Sequence, residues 1–560
     1  MKDSQHRLEQ LELLNLLIVP LDDHRGWYRY HHLFADFLQH HFKQVQPMQW
    51  EDTHARAAAW LEANGFREKA VDHLLAGGHH AEAVRLMERL LPETSHANWH
   101  IMHRWLSLLP ETAIVGKPII DIYYIVALID VGQWEIALKR VKQAESHLLD
   151  IKEALTESEW GQMQGAIYLL QGVAYFGHKD FDRCHEYLER YDKLMPEGNP
   201  IHKLSANSSV SSDHEDLLAH INDLSVAESF MKKRIQAWGG KRDFPIVGYF
   251  LVSYSELLYE WDRLEEAGYY AEMVLEREDV QSLARILVYA AAVASRILQA
   301  QGKADQAIKL LQQAKLRIHS PEQALFMMKI EAQQIRLALR KNASYFAADW
   351  LETCGLHSSG PINWYNSSEY LVLARLLAND GRHDQALALL ERMYEALSKE
   401  DRLRDKIKVL IARSIILYRQ RTIQEALIPL AEALHQAEPQ GYLRSFLDEG
   451  TAMAEMLSAY LQLRQESFSR TSSMASFAYV AKLFQALNRH SRTILTEQEM
   501  RILALVDKGF TNKEIALQMH VSAETIKWHI KNVYLKLDAK NRVQALRRAK
   551  EQALHLPTGQ

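Results

Sequence analysis

Three side chains near the carboxyl end of the chain could read a nucleic-acid duplex. Lys527, Trp528 and Lys531 fall on one side of a predicted helix, opposite its apolar stripe. Lysine ammonium groups can donate to guanine acceptors in the major groove, and an indole ring can lie against thymine methyl groups. The stripe that would anchor this helix consists of Ile526, Ile530, Val533 and Leu537. An amphipathic helix of this kind fits the major groove of DNA.

Capping residues position that helix and the two before it. In a capping box, a Thr hydroxyl accepts from a backbone amide and a Glu three residues later accepts from the amide of the Thr. The two predicted capping boxes are Thr496 with Glu499 and Thr511 with Glu514. Ser522 supplies a third cap oxygen, and Gly509 suits the left-handed residue that ends the first helix. The spacing predicts three short, closely connected helices.

From Leu495 to about Leu554 the chain resembles the DNA-binding domain of LuxR-type regulators. The residues that carry the resemblance are Leu495, Thr496, Glu499, Thr511 to Ala516, Thr525, Ile526, Lys527, His529, Lys536, Leu537, Asn541 and Arg542. The resemblance implies a four-helix helix-turn-helix domain that binds double-stranded DNA, with a homodimer expected on the DNA. It places Lys527, Trp528 and Lys531 at base-reading positions.

The same resemblance assigns two further groups of residues. The residues expected to face phosphate are Thr511, Asn512, Lys513, Ser522, Thr525 and Arg542. The fourth helix, residues 543 to 552, is the expected dimerisation helix, with Val543, Leu546 and Ala549 as its pairing residues. Because Trp528 occupies the position where the family varies most, the operator sequence stays open.

Charge supports a boundary before this domain. Residues 493–560 contain 11 Lys and Arg residues and 7 Asp and Glu residues, a net charge of +4, whereas the whole chain carries −5. Residues 1–492 therefore carry −9. A mildly basic domain that neutralises phosphates predicts salt-dependent DNA binding, and the acidic remainder should repel DNA.

Composition indicates a globular protein of several units. The chain has 560 residues, of which 48% are hydrophobic and 24% charged. Cys184 and Cys354 are the only cysteines, too few for a disulfide framework, so a reducing cytoplasm is expected. The longest early apolar run, residues 13–19, is too short to span a bilayer, so no membrane partner is expected.

An enzymatic function is not expected from the sequence. The chain contains neither His-Glu-x-x-His nor Gly-x-Ser-x-Gly. Asp36 lies four residues from both His32 and His40, so one helical face could gather three metal ligands. The surrounding aromatic residues favour a packed junction over a metal site, and no catalytic or metal-binding residue is predicted.

Between about residues 50 and 450 the chain is predicted to be a helical repeat array. Alanines recur at intervals of 40 or 39 residues: Ala227, Ala267, Ala307, Ala347, Ala386 and Ala426. A short stretch with polar residues precedes Ala137, Ala307 and Ala386, and in each case it begins with a glycine: Gly132, Gly302 and Gly381. The period predicts stacked helical hairpins that complete one another's core, similar to tetratricopeptide repeats and winding into a superhelix. An irregular helical bundle is the alternative, because the copies before residue 220 are less evenly spaced.

Two further phrases resemble large MalT-like regulators of the LuxR type. Residues 21–34 and 54–61 resemble the junction between a winged-helix unit and the helical array, and residues 441–450 resemble a later phrase of that class. Such regulators begin with a nucleotide-binding domain, but this sequence contains no Gly-x-x-x-x-Gly-Lys-Ser/Thr. The chain is expected to be a fragment or a truncated member, and neither ATP nor any other cofactor is predicted.

The predicted fold is all-α, a tetratricopeptide-like superhelical array of helical hairpins followed by a C-terminal four-helix helix-turn-helix domain. The predicted divisions are 1–48, a winged-helix remnant; 49–465, the array; 466–492, a linker with one helix; and 493–556, the DNA-binding domain. The predicted function is transcription regulation, in which the array senses a small molecule or a protein partner. The alternative is a protein-binding scaffold whose DNA-binding domain is not functional.

Overall fold

The computed structural model describes most of the chain, and its residues group into two compact units, Met1–Ser211 and Ser212–Gln560. The described residues are 4–14, 18–20, 28–91, 99–198, 217–241, 244–280, 283–318, 323–339, 350–352, 354–363, 366–420, 423–466, 475–491, 497–519, 523–537, 539 and 541–551. The boundary between the units falls within the predicted array, inside the serine-rich run at residues 205–213, which lies outside the described residues.

The first unit combines one short hairpin with helices. Strand β1 (Ile18–Pro20) pairs antiparallel with β2 (Tyr28–Tyr30), with Ile18 opposite Tyr30. The helices of this unit are α1 (Ser4–Leu13), α2 (His32–Val45), α3 (Pro47–Ala63), α4 (Arg67–Ala76), α5 (His80–Leu90), α6 (Trp99–Ser107), α7 (Glu111–Ile114), α8 (Pro118–Asp130), α9 (Trp134–Asp150), α10 (Glu157–Gly177) and α11 (Phe181–Leu194). Within the described residues, this hairpin is the one departure from the predicted all-α class.

The second unit contains the regular repeats. Its helices before residue 440 are α12 (Leu224–Trp238), α13 (Val247–Glu260), α14 (Leu264–Glu276), α15 (Ala284–Ala300), α16 (Ala304–Leu316), α17 (Gln323–Leu339), α18 (Ser367–Asn379), α19 (His383–Lys399), α20 (Leu403–Arg419) and α21 (Ile423–Ala437). Hairpins form from α13 with α14, α15 with α16, α18 with α19, and α20 with α21. The predicted array of helical hairpins is thereby confirmed.

The periodic alanines lie where the two helices of a hairpin meet. Ala267, Ala307, Ala386 and Ala426 lie on the second helices, and none of them has exposed surface. In two hairpins the first helix also bonds to that alanine. The Ser255 hydroxyl donates to the Ala267 carbonyl at 2.7 Å, and the Ser414 hydroxyl donates to the Ala426 carbonyl at 2.7 Å. Ala227 is likewise fully buried, whereas Ala347 lies outside the described residues.

Left-handed residues form the turns inside the hairpins. Gly302 and Gly381 both have φ of +78°, a conformation that costs glycine little and other L residues more. Asp262 takes the equivalent position one repeat earlier with φ of +62°. These turns reverse the chain between the two helices of each hairpin.

The array of the second unit curves until its end meets its beginning. The Asn222 side chain donates to the Asp401 carbonyl at 2.9 Å, and the Leu224 amide donates to the Gln440 side chain at 2.8 Å. The Leu443 amide donates to the Glu260 carbonyl at 2.8 Å. These contacts join residues 179 to 216 positions apart and confirm the superhelical winding that the repeats predict.

Residues 441–450 form an inner segment that crosses from the last hairpin to the first. The segment contains the short helix α22 (Arg444–Leu447), in which Phe446 is fully buried. The Ser445 hydroxyl donates to the Glu260 carboxylate at 2.8 Å, and the Arg444 guanidinium contacts Asp262 at 3.2 Å. The segment therefore ties α20 and α21 to the end of α13.

Two further helices lead from the array to the C-terminal domain. They are α23 (Thr451–Glu466) and α24 (Phe477–Ser491), and they contact each other. The Ser476 amide donates to the Glu438 carboxylate at 2.7 Å, and the Tyr479 hydroxyl donates to the Tyr442 carbonyl. Helix α24 therefore packs against the end of the array, and the division of the chain at residues 466–492 stays a prediction. No helix among the described residues combines the length and apolar character that crossing a bilayer requires.

Candidate nucleic-acid interface

Four helices form the C-terminal domain: α25 (Glu497–Asp507), α26 (Asn512–Met519), α27 (Ala523–Lys536) and α28 (Arg542–Glu551). Each helix contributes to one small core. The buried members of this core are Ile502, Leu503, Val506, Ile515, Ala516, Ile526, Val533, Leu537, Ala545 and Ala549. This arrangement confirms the predicted four-helix helix-turn-helix domain.

The turn between α25 and α26 has the predicted geometry. Gly509 has φ of +91°, so it ends α25 in the left-handed conformation. The Thr511 amide donates to the Glu514 carboxylate at 2.7 Å, and the Glu514 amide donates to the Thr511 hydroxyl at 3.4 Å. These bonds from the Thr511 amide and hydroxyl lower the pKa of Glu514. The capping box at Thr511 is therefore confirmed, whereas Thr496 lies outside the described residues.

Helix α27 presents one apolar face inward and two lysines outward. Ile526 has no exposed surface, and Val533 and Leu537 are each 1% exposed. Ile530 is half-buried and packs against the same core. Lys527 and Lys531 are both exposed. Trp528 belongs to α27, but its side chain lies outside the described part of the structure.

The residues expected to face phosphate lie mainly at the start of α26. Thr511 and Lys513 are exposed and Asn512 is half-buried, so the amino end of α26 is open to solvent. The backbone amides of a helix start attract phosphate, and an exposed lysine adds positive charge there. Ser522 lies outside the described residues, and the same holds for the side chain of Thr525.

Arg542 has a structural contact that sequence reasoning missed. One of its terminal nitrogens donates to the Val506 carbonyl at 2.6 Å and to the Phe510 carbonyl at 2.9 Å. It therefore bonds to one carbonyl in the last turn of α25 and one in the turn that follows, and it joins this region to the start of α28. Asn541 caps α28, since its side-chain oxygen accepts from the Gln544 amide at 3.0 Å. A contact with phosphate by Arg542 stays a prediction.

The expected pairing residues of α28 differ in exposure. Val543 is 76% exposed and Leu546 is half-buried against the core, but Ala549 has no exposed surface. Ala549 belongs to the domain core, because the face of α28 that carries Ala545 and Ala549 packs onto the other helices. Of the three residues predicted to pair, only Val543 is therefore fully presented, and the surface available for pairing is narrower than predicted.

The domain has the charge and chemistry of a binding surface. Its exposed cations include Lys513, Lys527 and Lys531, on two successive helices. In the described part of the chain, no group of three His, Cys, Asp or Glu side chains could hold a metal ion. The arrangement can hold an anionic polymer through lysines and helix-start amides, with α27 as the element that enters a groove.

Comparison with known families finds three matches along the chain. Residues 132–463 match the MalT-like TPR region, and residues 493–549 match the luxR family of bacterial regulatory proteins. Residues 1–50 match the MalT winged helix domain. The matches occur in the order predicted from the sequence, and the first covers more than half of the chain.

Curated relatives extend this likeness over almost the whole chain. The HTH-type transcriptional regulator MalT of Vibrio campbellii is 22% identical, over 97% of this chain and 66% of its own length. The protein of that name from Yersinia enterocolitica is 22% identical over 98% of this chain and 67% of its own length. One from Klebsiella pneumoniae is 23% identical over 98% and 67%. The chain thus spans about two thirds of the length of these relatives.

The superhelical repeats and the capped four-helix domain define a class of protein, the transcription regulators with a LuxR-type helix-turn-helix. The match over residues 132–463 then places the chain within that class. It belongs to the MalT-like family.

Proposed function

We propose that this regulator reads an operator in the major groove through α27, and that the repeat array controls DNA binding in response to an effector. Lys527, Trp528 and Lys531 contact base edges in this proposal. Thr511, Asn512, Lys513, Ser522, Thr525 and Arg542 contact phosphate. The array receives a small molecule or a protein partner, and the protein works in the cytoplasm.

One observation carries the proposal. Helix α27 buries Ile526, Val533 and Leu537 while Lys527 and Lys531 stay exposed. A helix fixed through one face can enter a groove without disturbing the core of its domain, and its outward lysines then meet base edges. The net charge of +4 on residues 493–560 adds attraction to the phosphate backbone.

Two copies of the C-terminal domain bind adjacent half-sites in this proposal. Helix-turn-helix proteins bind as dimers to half-sites about one helical turn apart, so pairing fixes the spacing of the half-sites. Val543, at 76% exposure, is the residue of α28 best placed to contact a second copy. An effector on the array would act by changing whether two domains can sit on neighbouring half-sites.

The first experiment measures whether the full chain binds DNA electrostatically. Fluorescence anisotropy with a random duplex, at rising salt, should show an affinity that falls linearly on a double-logarithmic plot, because phosphate neutralisation releases counterions. Lys309→Ala, an exposed lysine of α16 in the array, serves as the matched control and should keep the wild-type slope. No binding at low salt would instead favour the protein-binding scaffold.

The second experiment identifies the operator. Genomic fragments that the protein retains are selected and sequenced, with and without candidate effectors. The proposal predicts a recurring two-fold motif. Retention without any common sequence would contradict base reading by α27.

A further inference from the structure

A cavity opens on the inner face of the array in the second unit. Its volume is about 100 Å³. Its wall comes from helices α13, α15, α17, α18 and α20, together with the inner segment at residues 441–450. This is room for several water molecules, or for a small anion in their place.

Cations outnumber anions in the wall of this cavity. The basic residues are Arg296, Lys329, Arg336, Arg375, Arg404 and Lys408, and the acidic residues are Glu256, Glu369 and Glu449. Carboxylates directly behind the wall offset part of this excess, since Lys408 lies 3.0 Å from Glu260 and Arg404 lies 3.7 Å from Asp405. The cations of the wall that are least neutralised are the ones that would attract an anion into the concave surface.

Three of these cations follow the repeat. Arg296, Arg336 and Arg375 are separated by 40 and 39 residues, and they lie on α15, α17 and α18. They therefore occupy equivalent positions on three helices of successive repeats. We refer to these three residues as the arginine row. The repeat places three guanidinium groups side by side along one wall of the cavity.

The outer members of the arginine row are each held by a carboxylate. Arg296 donates to both oxygens of Glu256, at 2.8 and 2.6 Å. Arg375 donates to both oxygens of Glu449, at 2.9 and 2.5 Å. Bidentate pairs of this kind fix the guanidinium and neutralise its charge.

Arg336, the central member, has a weaker acidic contact. Its terminal nitrogen lies 3.4 Å from the Asp448 carboxylate. That carboxylate accepts from Arg444 at 2.7 Å and from the Tyr259 hydroxyl at 2.6 Å, so its oxygens are already engaged. The Arg336 side chain is 31% exposed, close to the 29% of Arg375, whereas that of Arg296 is 11% exposed. The least neutralised guanidinium of the row thus remains accessible.

The electrostatics of Arg336 agree with this geometry. Burial and the neighbouring cations Arg296 and Arg375 lower its pKa, and Asp448 offsets the effect only in part. Burial also tends to lower the pKa of Arg375, but the carboxylates of Glu449 and Asp448 outweigh it, so that pKa is raised. A bound anion beside Arg336 would relieve the repulsion within the row.

Apolar side chains complete the site. Val252, Val288, Val293 and Val372 line the same cavity, next to Ala292 and Ala332. A ligand with an apolar part would bury surface against these residues, while its charged end meets the guanidinium groups. Carboxylate and phosphate groups both match the planar fork of arginine.

We infer that the inner cavity of the array binds a small organic anion, whose carboxylate or phosphate group pairs with Arg336 between Arg296 and Arg375. The inference rests on the proposed role of the array as a sensor, because it names the class of molecule that the array would receive. Arg336 binds the anionic group directly, and the outer arginines, fixed by Glu256 and Glu449, border the site.

The test measures anion binding to the full chain by isothermal titration calorimetry at constant ionic strength, with sodium chloride as the background. Inorganic phosphate and succinate are the two probes, and they distinguish phosphate from carboxylate recognition. Wild-type protein should bind at least one of them saturably. Arg336→Gln should weaken that binding at least tenfold, and Arg336→Lys, which keeps the charge but loses the fork, should fall between the two.

Arg317→Gln is the matched control, since Arg317 is an exposed arginine at the end of α16, outside the cavity. It should bind the probes like wild type. Circular dichroism and thermal unfolding of each variant check that the fold is retained. Absence of saturable binding of both probes, or equal affinity of wild type and Arg336→Gln, would overturn the inference.

The same samples separate this inference from the proposed function. Duplex binding by fluorescence anisotropy is measured on each of them without phosphate or succinate. Salt-dependent duplex binding without probe binding would contradict the anion site but not the proposed regulator function. Probe binding without duplex binding would support the anion site and contradict the proposed DNA binding.

Discussion

Arg542 shows how one side chain can join two helices of the DNA-binding domain. Its guanidinium donates to the Val506 carbonyl of α25 at 2.6 Å and to the Phe510 carbonyl in the following turn at 2.9 Å. Arg542→Ala should leave these carbonyls without that partner and destabilise the domain by about 1–3 kcal/mol, the usual effect of losing a charged hydrogen bond. Hydrogen–deuterium exchange of peptides covering residues 500–510 measures the loss of protection.

Arg547→Ala is the control for this prediction, because Arg547 is an exposed arginine on the same helix. It should leave exchange at residues 500–510 unchanged. Equal protection in Arg542→Ala and wild type would show that the two carbonyl contacts do not hold α25 against α28.

Lys513 provides a different residue-scale prediction, since it lies exposed at the start of α26. Lys513→Ala should weaken binding to all duplex sequences to a similar degree and reduce the salt slope by about 1, as expected for one lost phosphate contact. Anisotropy on operator and random duplexes measures both effects. A loss confined to one sequence would mean that Lys513 reads a base.

The sequence predicts some side-chain positions better than others. The outward positions of Lys527 and Lys531 follow from their angle to the apolar stripe on α27, which requires only helical geometry. The contacts of Arg542 and the burial of Ala549 depend on how α28 packs against α25, which no local pattern encodes. The sequence therefore predicts binding surfaces for Arg542 and Ala549, but it does not reveal their contacts within the domain.

At the scale of the helical hairpin, stability depends on the left-handed turns. Gly302 and Gly381 have φ of +78°, and a Cβ added to either would meet no atom within 4 Å. Gly302→Ala and Gly381→Ala should therefore each cost about 1–2 kcal/mol through backbone strain alone. Thermal unfolding of the full chain should show a lower midpoint for each variant.

Gly268 is the matched control for these turns, because it lies within helix α14 and has no positive φ. A Cβ there would meet only Ile297, at an ordinary 3.8 Å. Gly268→Ala should stabilise the protein by roughly 0.5–1 kcal/mol, since alanine loses less entropy in a helix. Destabilisation of all three variants to the same extent would show that the turns have no special role.

The hairpins were predictable because their signals are local and repeated. Buried alanines at Ala267, Ala307, Ala386 and Ala426 and glycines at the turns recur with the period of the structure. The inner segment at residues 441–450 and its bonds to Glu260 were not predictable from that period, because they join positions about 180 residues apart. The arginine row can be recognised in the sequence by spacings of 40 and 39 residues, but its role can be inferred only from its position in the cavity.

At the scale of the whole molecule, buried charge links hairpins that are distant in sequence. Glu256 of α13 pairs with Arg296 of α15 and lies 3.6 Å from Lys408 of α20. Although burial alone would raise it, these cations and Arg404 lower the pKa of Glu256 to about 2. The carboxylate is therefore one of the groups that hold the curved array closed.

The depressed pKa of Glu256 has a predictable consequence for stability. The group stabilises the fold fully above its unfolded pKa near 4.5, and this contribution is lost as the pH falls toward about 2. Glu256→Gln should reduce the free energy of unfolding by about 3–5 kcal/mol at neutral pH, because it leaves buried cations uncompensated. Denaturant unfolding at several pH values measures both effects.

Glu395→Gln is the control, since Glu395 is exposed on α19. Its stability at neutral pH should match that of wild type. The difference between wild type and Glu256→Gln should shrink as the pH falls below 4.5, and a difference that stays constant down to pH 2 would mean that the Glu256 charge does not stabilise the array.

Net charge also distinguishes the C-terminal domain from the rest of the chain. Residues 493–560 carry +4 and the rest carries −9, so the C-terminal domain is the part attracted to DNA. The same difference should keep the array off the duplex and leave its inner cavity available to an effector. The central claim is accordingly that DNA is read by α27.

Binding of the selected operator by Lys527→Ala, Lys531→Ala and the double variant tests this claim most directly. Each single substitution should cost roughly 1–3 kcal/mol at its matched base and relax specificity there, with a larger loss in the double variant. Lys309→Ala, far along the chain in α16, should bind like wild type. If the single and double variants all bind the operator as tightly as wild type, α27 is not the recognition helix.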